Sequence, residues 1–565
     1  MRRPARVLVL GCLSLLALRG GARAATQGAD HVADQGASWT DAARADYYSR
    51  DQGSRLIPLR WLRALKAADG SRFAAKLTRY GYVANPFDTG DDALPIGFTQ
   101  APTPRGPAVG MTCAACHERE LVANGTTWRI DGAPANADFG AFVTDLDAAV
   151  ARVLASDATF APFAQAVLGD EAQDLVARET LKVEVRYWST RFHALVAGTL
   201  KTAPPSGPTR LDAFAFIFNA VGGLSIGPRP IYLMPGNIHV GAAPVRYPVL
   251  WDSGKQDRTQ WTGIAANGTK EMALARGVTE LLGVFGHFRP VRTPGALGAL
   301  DRDYLLHNTT NFAALAALDE TIASMGPPAW PFGIDQALAD KGKAVFARAT
   351  ADGGCAACHG EQKGAVEGTW KTPLVDVGTD RAAWHTLMDT VDTGDMAGAS
   401  IPGHVPALKP TDTSLNLLRV SVGGTLIGLR AQAAVKQPVT SLVLGAVAGL
   451  LPKPMIQPEM LVPNGYEARV LRGIWAAAPY LHDGAVPTLA DLLEPADKRP
   501  KSFPIGAQFD TARVGLAATQ PPGTFVLQTT GCDDLASSRS VCGHEYGTHL
   551  PPEDKKALLE YLKTL

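Results

Sequence analysis

The chain runs to 565 residues, more than one ordinary hydrophobic core can organise, so two domains are expected. Its 54 basic and 54 acidic residues cancel, which removes the electrostatic case for nucleic acid or an anionic membrane surface as the main partner.

In chain order, the first stretch reads MRRPARVLVLGCLSLLALRGGARAAT: arginines, an apolar run from Val7 to Leu18, then small residues ending in Ala22-x-Ala24. These parts make a secretory signal, residues 1–24, cut after Ala24, and place the mature chain in the periplasm or outside the cell. A lipoprotein signal acylated at Cys12 is the alternative, and the apolar run continuing past Cys12 argues against it. No later window reaches the ~20 apolar residues of a membrane span. The best, Ser441 to Leu451, stops at Pro452 and reads as a core helix.

Two copies of one pentapeptide, CAACH, follow at Cys113–His117 and Cys355–His359. In an exported chain, C-x-x-C-H is the attachment signal for c-type haem: two thiols add to the porphyrin vinyl groups and the adjacent imidazole binds iron. Zinc would need a second ligand pair near each copy, and none follows. Two covalently bound c-type haems are therefore expected, held by Cys113 and Cys116 and by Cys355 and Cys358, with His117 and His359 as proximal ligands. Of the seven cysteines, Cys532 and Cys542 remain once Cys12 and these four are set aside, and export makes them a disulfide.

Helical periodicity marks Phe139 to Ala155 and Met272 to Gly286, with Gly- and Pro-rich stretches between. The segment MGPPAWPFG, Met325 to Gly333, interrupts periodicity and suggests a boundary, giving domains 25–330 and 331–565. Beyond it, Gly333 to Arg348 reads as a helix ahead of the second CAACH. PPEDKKALLEYLKTL closes the chain as another, with Leu558, Tyr561, Leu562 and Leu565 on one face. The fold class expected is mainly α with extensive loops: two cytochrome c-like haem domains, the N-terminal one enlarged.

These landmarks resemble the dihaem cytochrome c peroxidase superfamily, and within it the larger members that include the extracellular dihaem rubber oxygenases. The resemblance is carried over nearly the whole mature chain by YYSRDQGSRLIPLRWL (47–62), GMTCAACHERELVANGTTWRIDGAPANADF (110–139), RLDAFAFIFNAVGG (210–223), YPVLWDSGKQDRTQWTG (247–263), GYEARVLRGIWAAAPYLHDGAVPTLADLLEP (465–495) and GHEYGTHLPPEDKKALLEYLKTL (543–565). It implies a reactive haem at His117 that activates peroxide or dioxygen and a relay haem at His359. It also implies a small electron-donor protein or dye as partner, and calcium as a further cofactor held by Asn and Asp. His544, in GHE, is implied as the second ligand of the relay iron, with His482 beside the haem edge. The two roles are open to reversal, and Met455 or Met460 is a third candidate. Other expected contributors are Arg129 and Arg210 at haem propionates, and Trp128, Trp251, Trp261, Trp330 and Trp475 between the haems. Phe214, Phe216, Phe218, His287 and Glu118 are candidates for the roof of the first haem. Three functions follow: a peroxidase-type oxidoreductase, a rubber-oxygenase-like dioxygenase cleaving an olefin, or a non-enzymatic dihaem electron carrier.

Overall fold

The computed structural model describes residues 29–565 apart from 91–92, 203, 294–300, 402 and 437–460. The signal segment, Cys12, the run 441–451, Met455 and Met460 lie outside the described residues. No described helix is long and apolar enough to cross a membrane.

Helix α1 (Asp41–Ser49) leads into a three-stranded sheet in which β3 (Ala108–Met111) lies between β1 (Ile57–Pro58) and β2 (Phe98–Ala101), Phe98 opposite Met111. A hairpin follows, β4 (Glu118–Ala123) with β5 (Thr126–Asp131), and the first CAACH is threaded between β3 and β4. Helix α2 (Phe139–Leu154) starts where the Asp138 side chain accepts from the Ala141 amide, and it buries Phe139, Phe142, Val143, Leu146 and Val150 at helical spacing. It packs with α3 (Asp157–Leu168) and α4 (Leu175–Thr199) into one core. Next come the short α5 (Ala213–Phe218), α6 (Lys270–Gly283), whose Thr269 cap accepts from Met272, and α7 (Phe312–Ala323), which packs on α6.

Beyond it, α8 (Gln336–Phe346) is capped by Asp335, α9 spans Ser414–Lys436, and α10 (Pro552–Lys563) ends the chain. Helices α8 and α10 cross at Gly342, where a Cβ would overlap the Ala557 carbonyl oxygen. Only glycine admits that approach. Phe346 meets the Tyr561 ring at 5.3 Å beside the crossing. Each of the buried Val345, Leu558 and Leu562 contributes about 1.5–3 kcal/mol of apolar burial there.

The expectation of a mainly α chain built from two cytochrome c-like haem domains does not hold. The described strands form two three-stranded and seven two-stranded sheets, spread along the chain between the helices. Most strands have two to four residues, too short for alternation to register in the sequence, so these stretches read as loop. The surroundings of the first CAACH are strands rather than the crossed helices that flank the second. One core cluster joins Tyr47, Leu121, Trp251 and Met325 to Val345, Trp475 and Leu558, so side chains from both halves of the chain share it.

Candidate haem sites

The second pentapeptide forms a single helical turn, Ala356–His359, a few residues after α8. The amides of Cys358 and His359 close on the Cys355 carbonyl at 3.2 and 3.0 Å, and Cys355, Cys358 and His359 border one cavity with Leu489, Leu558 and Leu562. The His359 Nδ1 lies 2.7 Å from the Arg469 carbonyl. A carbonyl only accepts, so Nδ1 carries the hydrogen and the Nε2 lone pair is left for a metal. Across the cavity stands His544, its ring centre 6.2 Å from that of His359. Two collinear metal–imidazole bonds of ~2.0 Å, plus about 1.15 Å from each nitrogen to its ring centre, would separate the centroids by ~6.3 Å. Burial lowers the pKa of both rings, that of His544 to about 3, so each stays neutral and ligand-competent.

His544 is held in a strained seat. Its φ is +50°, in the left-handed region, after Gly543 at +77°. A Cβ on Gly543 would meet the Val377 carbonyl and Gly378, and the His544 amide donates to Val377 O at 2.9 Å. The buried Arg499 closes the loop from inside: Nη1 donates to Val541 O at 2.5 Å and Gly543 O at 2.7 Å, and Nη2 donates to His544 O at 3.1 Å. The expected Cys532–Cys542 disulfide is formed, one residue before Gly543.

The lining tests whether a haem fits. Arg246 Nη1 and Arg469 Nε are buried with no protein acceptor, and both residues border the cavity. Burial pushes the Arg246 guanidinium down to about 9 and lowers Arg469. Orphaned cationic N–H groups beside two thiols, two imidazoles and an apolar wall are what a covalently held porphyrin with acidic edges would satisfy. The group fits. Of the residues expected to serve the propionates, Arg129 stands 3.7 Å from Glu118 and Arg210 donates to the Ser538 and Pro244 carbonyls, and neither borders the cavity.

His482 does border it, but as an ion-paired group: its Nε2 is 2.7 Å from Asp380 Oδ2 and its ring stacks on Tyr466 at 3.5 Å. Burial opposes the charged imidazole, yet the Asp380 and Asp483 charges win and raise its pKa. Burial also lifts the Asp483 carboxyl to about 7. These three form the one cluster of metal-capable side chains among the described residues. A protonated imidazole has no lone pair to give, and calcium takes oxygen ligands, so the cluster does not fit the calcium expected from the resemblance.

The first pentapeptide is built differently. Cys113–Ala115 is a tight turn after β3, and Gly97, at φ +81°, lets the β2 backbone lie directly against Ala115. The His117 Nδ1 lies 2.7 Å from the Pro248 carbonyl, so this Nε2 lone pair is free as well, and burial lowers the ring to about 4. The His117 carbonyl accepts from Tyr47 Oη and the Gly132 amide at 2.7 and 2.8 Å. A cavity of about 70 Å³ opens beside Cys113, bordered by Gln260, Arg276, Glu280, Leu315 and Leu318. No histidine or methionine lines it among the described residues. The Gln260 Nε2 donates to Glu280 Oε1 at 3.2 Å, and burial raises the Glu280 carboxyl above its usual range despite the nearby Arg276. The side chain still keeps 44% of its surface accessible, which accords with its place on the cavity wall.

Sequence reading had other candidates for this roof. Phe214, Phe216 and Phe218 sit in hydrophobic cores, His287 opens to a different cavity, and Glu118 is buried against Arg129 and Asp131. Gln260 and Glu280, which do border the cavity beside Cys113, are not predicted, because a lone Gln and a lone Glu carry no spacing signal.

Both cavities share Val249, Glu467 and Arg469. Arg469 Nη1 donates to Val249 O at 3.1 Å. A continuous path therefore runs from His117 through the Pro248 carbonyl, Val249 and Arg469 to His359. Trp251 and Trp261 border the second cavity, whereas Trp128, Trp330 and Trp475 border neither.

Comparison with known proteins falls on the same wall. Residues 465–504, which supply Tyr466, Arg469, Leu489 and Arg499, match the family described as RoxA-like, cytochrome c-like. One such segment is matched, not two cytochrome c-like domains. Over its length the chain is similar to "uncharacterized protein y4iJ" of Sinorhizobium fredii, 29% identical across 94% of this chain and 92% of that protein. "Uncharacterized protein y4iM" of the same organism is 28% identical across 56% of this chain and 63% of its own length. The matched segment relates the chain to RoxA-like c-type cytochromes, and a cytochrome c-like segment implies a covalent c-type haem.

Proposed function

We propose that the chain is an exported dihaem c-type oxidoreductase of the cytochrome c peroxidase type. In this reading Cys113, Cys116 and His117 hold the reactive haem, and Cys355, Cys358, His359 and His544 hold a relay haem. The observation that carries it is the contrast between the two sites: His544 stands at ligand spacing from His359, whereas the cavity beside Cys113 is bordered by the Gln260–Glu280 pair and by no described histidine or methionine.

Bound haem supplies iron that exchanges single electrons. The chain supplies the rest. Glu280, whose carboxyl burial raises above its usual range, is positioned as a general acid for a peroxide oxygen, and Gln260 holds one of its carboxyl oxygens. Reducing one peroxide to two waters takes two electrons and two protons. The electrons enter singly from a small donor protein or dye, and the Pro248–Val249–Arg469 path joins the two proximal histidines.

A dioxygenase acting on an olefin is the second reading. It is favoured by the RoxA-like match and by the apolar Leu315, Leu318 and Ile322 on the other wall of the first cavity. Peroxide turnover with a reduced dye, set against dioxygen-dependent cleavage of an olefin polymer, separates the two. A high-spin ferric band that shifts with cyanide is expected in either case. Its absence would leave only an electron carrier.

A further inference from the structure

A cavity of about 480 Å³ lies beyond the first haem site, within the size range of small-molecule pockets, roughly 300–1,000 Å³. Helix α6 separates the two. Glu280 borders the haem-site cavity and Leu282 borders this one, about 200° apart around the helix and so on opposite faces.

Its charged lining has one sign. Arg55, Arg191, Arg289, His287 and His307 border it, and no described Asp or Glu does. The Arg55 charge is spent on Asp51, which accepts at 2.7 and 3.0 Å. Arg191 donates to the Ile231 and Leu224 carbonyls, which orient a guanidinium without neutralising it. Arg289 lies over the Tyr232 ring at 4.3 Å. Neither Arg191 nor Arg289 has a carboxylate partner among the described residues. Burial and the surrounding arginines push His287 down to about 4 and lower His307, so both are neutral hydrogen-bonding groups at pH 7.

Aromatic side chains line it as well, Trp188 and Phe192 on the same face of α4 as Arg191. Trp188 stacks on Phe192 at 4.3 Å, and Phe285 stands 5.9 Å from Phe192. At the rim Tyr187 and Leu306 are 41% and 63% exposed. Two guanidinium groups without a carboxylate partner, in one cavity with an aromatic cluster, ask for a ligand with an anionic end and an apolar body.

We propose that this cavity binds an amphipathic organic carboxylate, its headgroup at Arg191 and Arg289 and its hydrocarbon body on the Trp188–Phe192–Phe285 wall. The site makes no use of the haem chemistry, so its test is independent of it.

Calorimetric titration of the full-length purified protein with decanoate, below its micelle concentration, reads the site directly. Decanol and decylammonium are the neutral and cationic probes of equal length. Decanoate is expected to bind about tenfold or more tightly than decanol, and decylammonium not measurably. Arg289→Gln and Arg191→Gln are each expected to weaken decanoate by about tenfold, with Arg289→Lys keeping most of the affinity. Equal binding of decanol and decanoate, no decanoate heat, or an affinity unmoved by both glutamine variants would overturn the proposal. Should a variant lose its far-ultraviolet circular dichroism, the comparison of the three probes on the unmodified chain still decides.

Discussion

The two CAACH segments are the same five residues, yet the chain treats them differently. The second follows a helix, forms a helical turn and looks across its cavity at His544, which Gly543, Arg499 and the Cys532–Cys542 bridge hold in place. The first sits between two strands and borders a small cavity walled by Gln260, Glu280 and Leu315. The histidine of each segment is fixed alike, by a backbone carbonyl 2.7 Å from Nδ1. The difference lies in the local backbone of each segment and in the remote segments that border each cavity, and it teaches that one motif can be seated in two unlike surroundings.

Four changes would break or sharpen that contrast. The largest effect is expected from His544→Ala, which opens the second site: both haems stay attached, the second iron becomes high-spin by optical spectroscopy, and donor-driven turnover falls to background. An unchanged low-spin spectrum would pass the ligand role to another residue. Glu280→Gln acts on the first site alone and is expected to lower peroxide turnover by ~10²–10⁴ while leaving the low-spin signal intact. The sign of its pH dependence follows from the raised carboxyl pKa. The acid form persists above the usual carboxylate range, so turnover falls as pH rises through that pKa, and the glutamine variant loses this limb of the profile.

Arg499→Leu removes the fork under the His544 loop. With several buried carbonyls left without a donor, it is expected to cost about 3–5 kcal/mol of stability, read as a lower unfolding midpoint together with partial high-spin character. The smallest effect is expected from Arg469→Leu. It breaks the link to Val249 but keeps the backbone carbonyl that holds His359. Stopped-flow transfer between the haems should slow severalfold, about 1 kcal/mol, with both spectra unchanged. Unaltered transfer would exclude this path.

Much of the second site was legible in the sequence. The CAACH cysteines, the helix spanning Gln336–Phe346 and the closing helix have local signatures, and the two helices pack on each other; His544 was singled out only through the family resemblance. The first site was legible only at its pentapeptide. The cavity beside its Cys113 is walled by Gln260, α6 and α7, between about 140 and 210 positions downstream, and no periodicity reports such a meeting. Arg246, Arg469 and Arg499 were invisible for another reason: a buried arginine is recognised by the carbonyls or unsatisfied N–H groups around it, not by its neighbours in sequence. The many two-residue strands fall below what alternation can reveal, and this is why the chain reads as more helical than it is.

Electron paramagnetic resonance of the resting and half-reduced protein tests the unequal coordination most directly. One low-spin signal from a bis-imidazole iron is expected, beside a second iron that is high-spin or becomes so on half-reduction and then takes up cyanide. Two low-spin signals that persist in both states and ignore cyanide would contradict it.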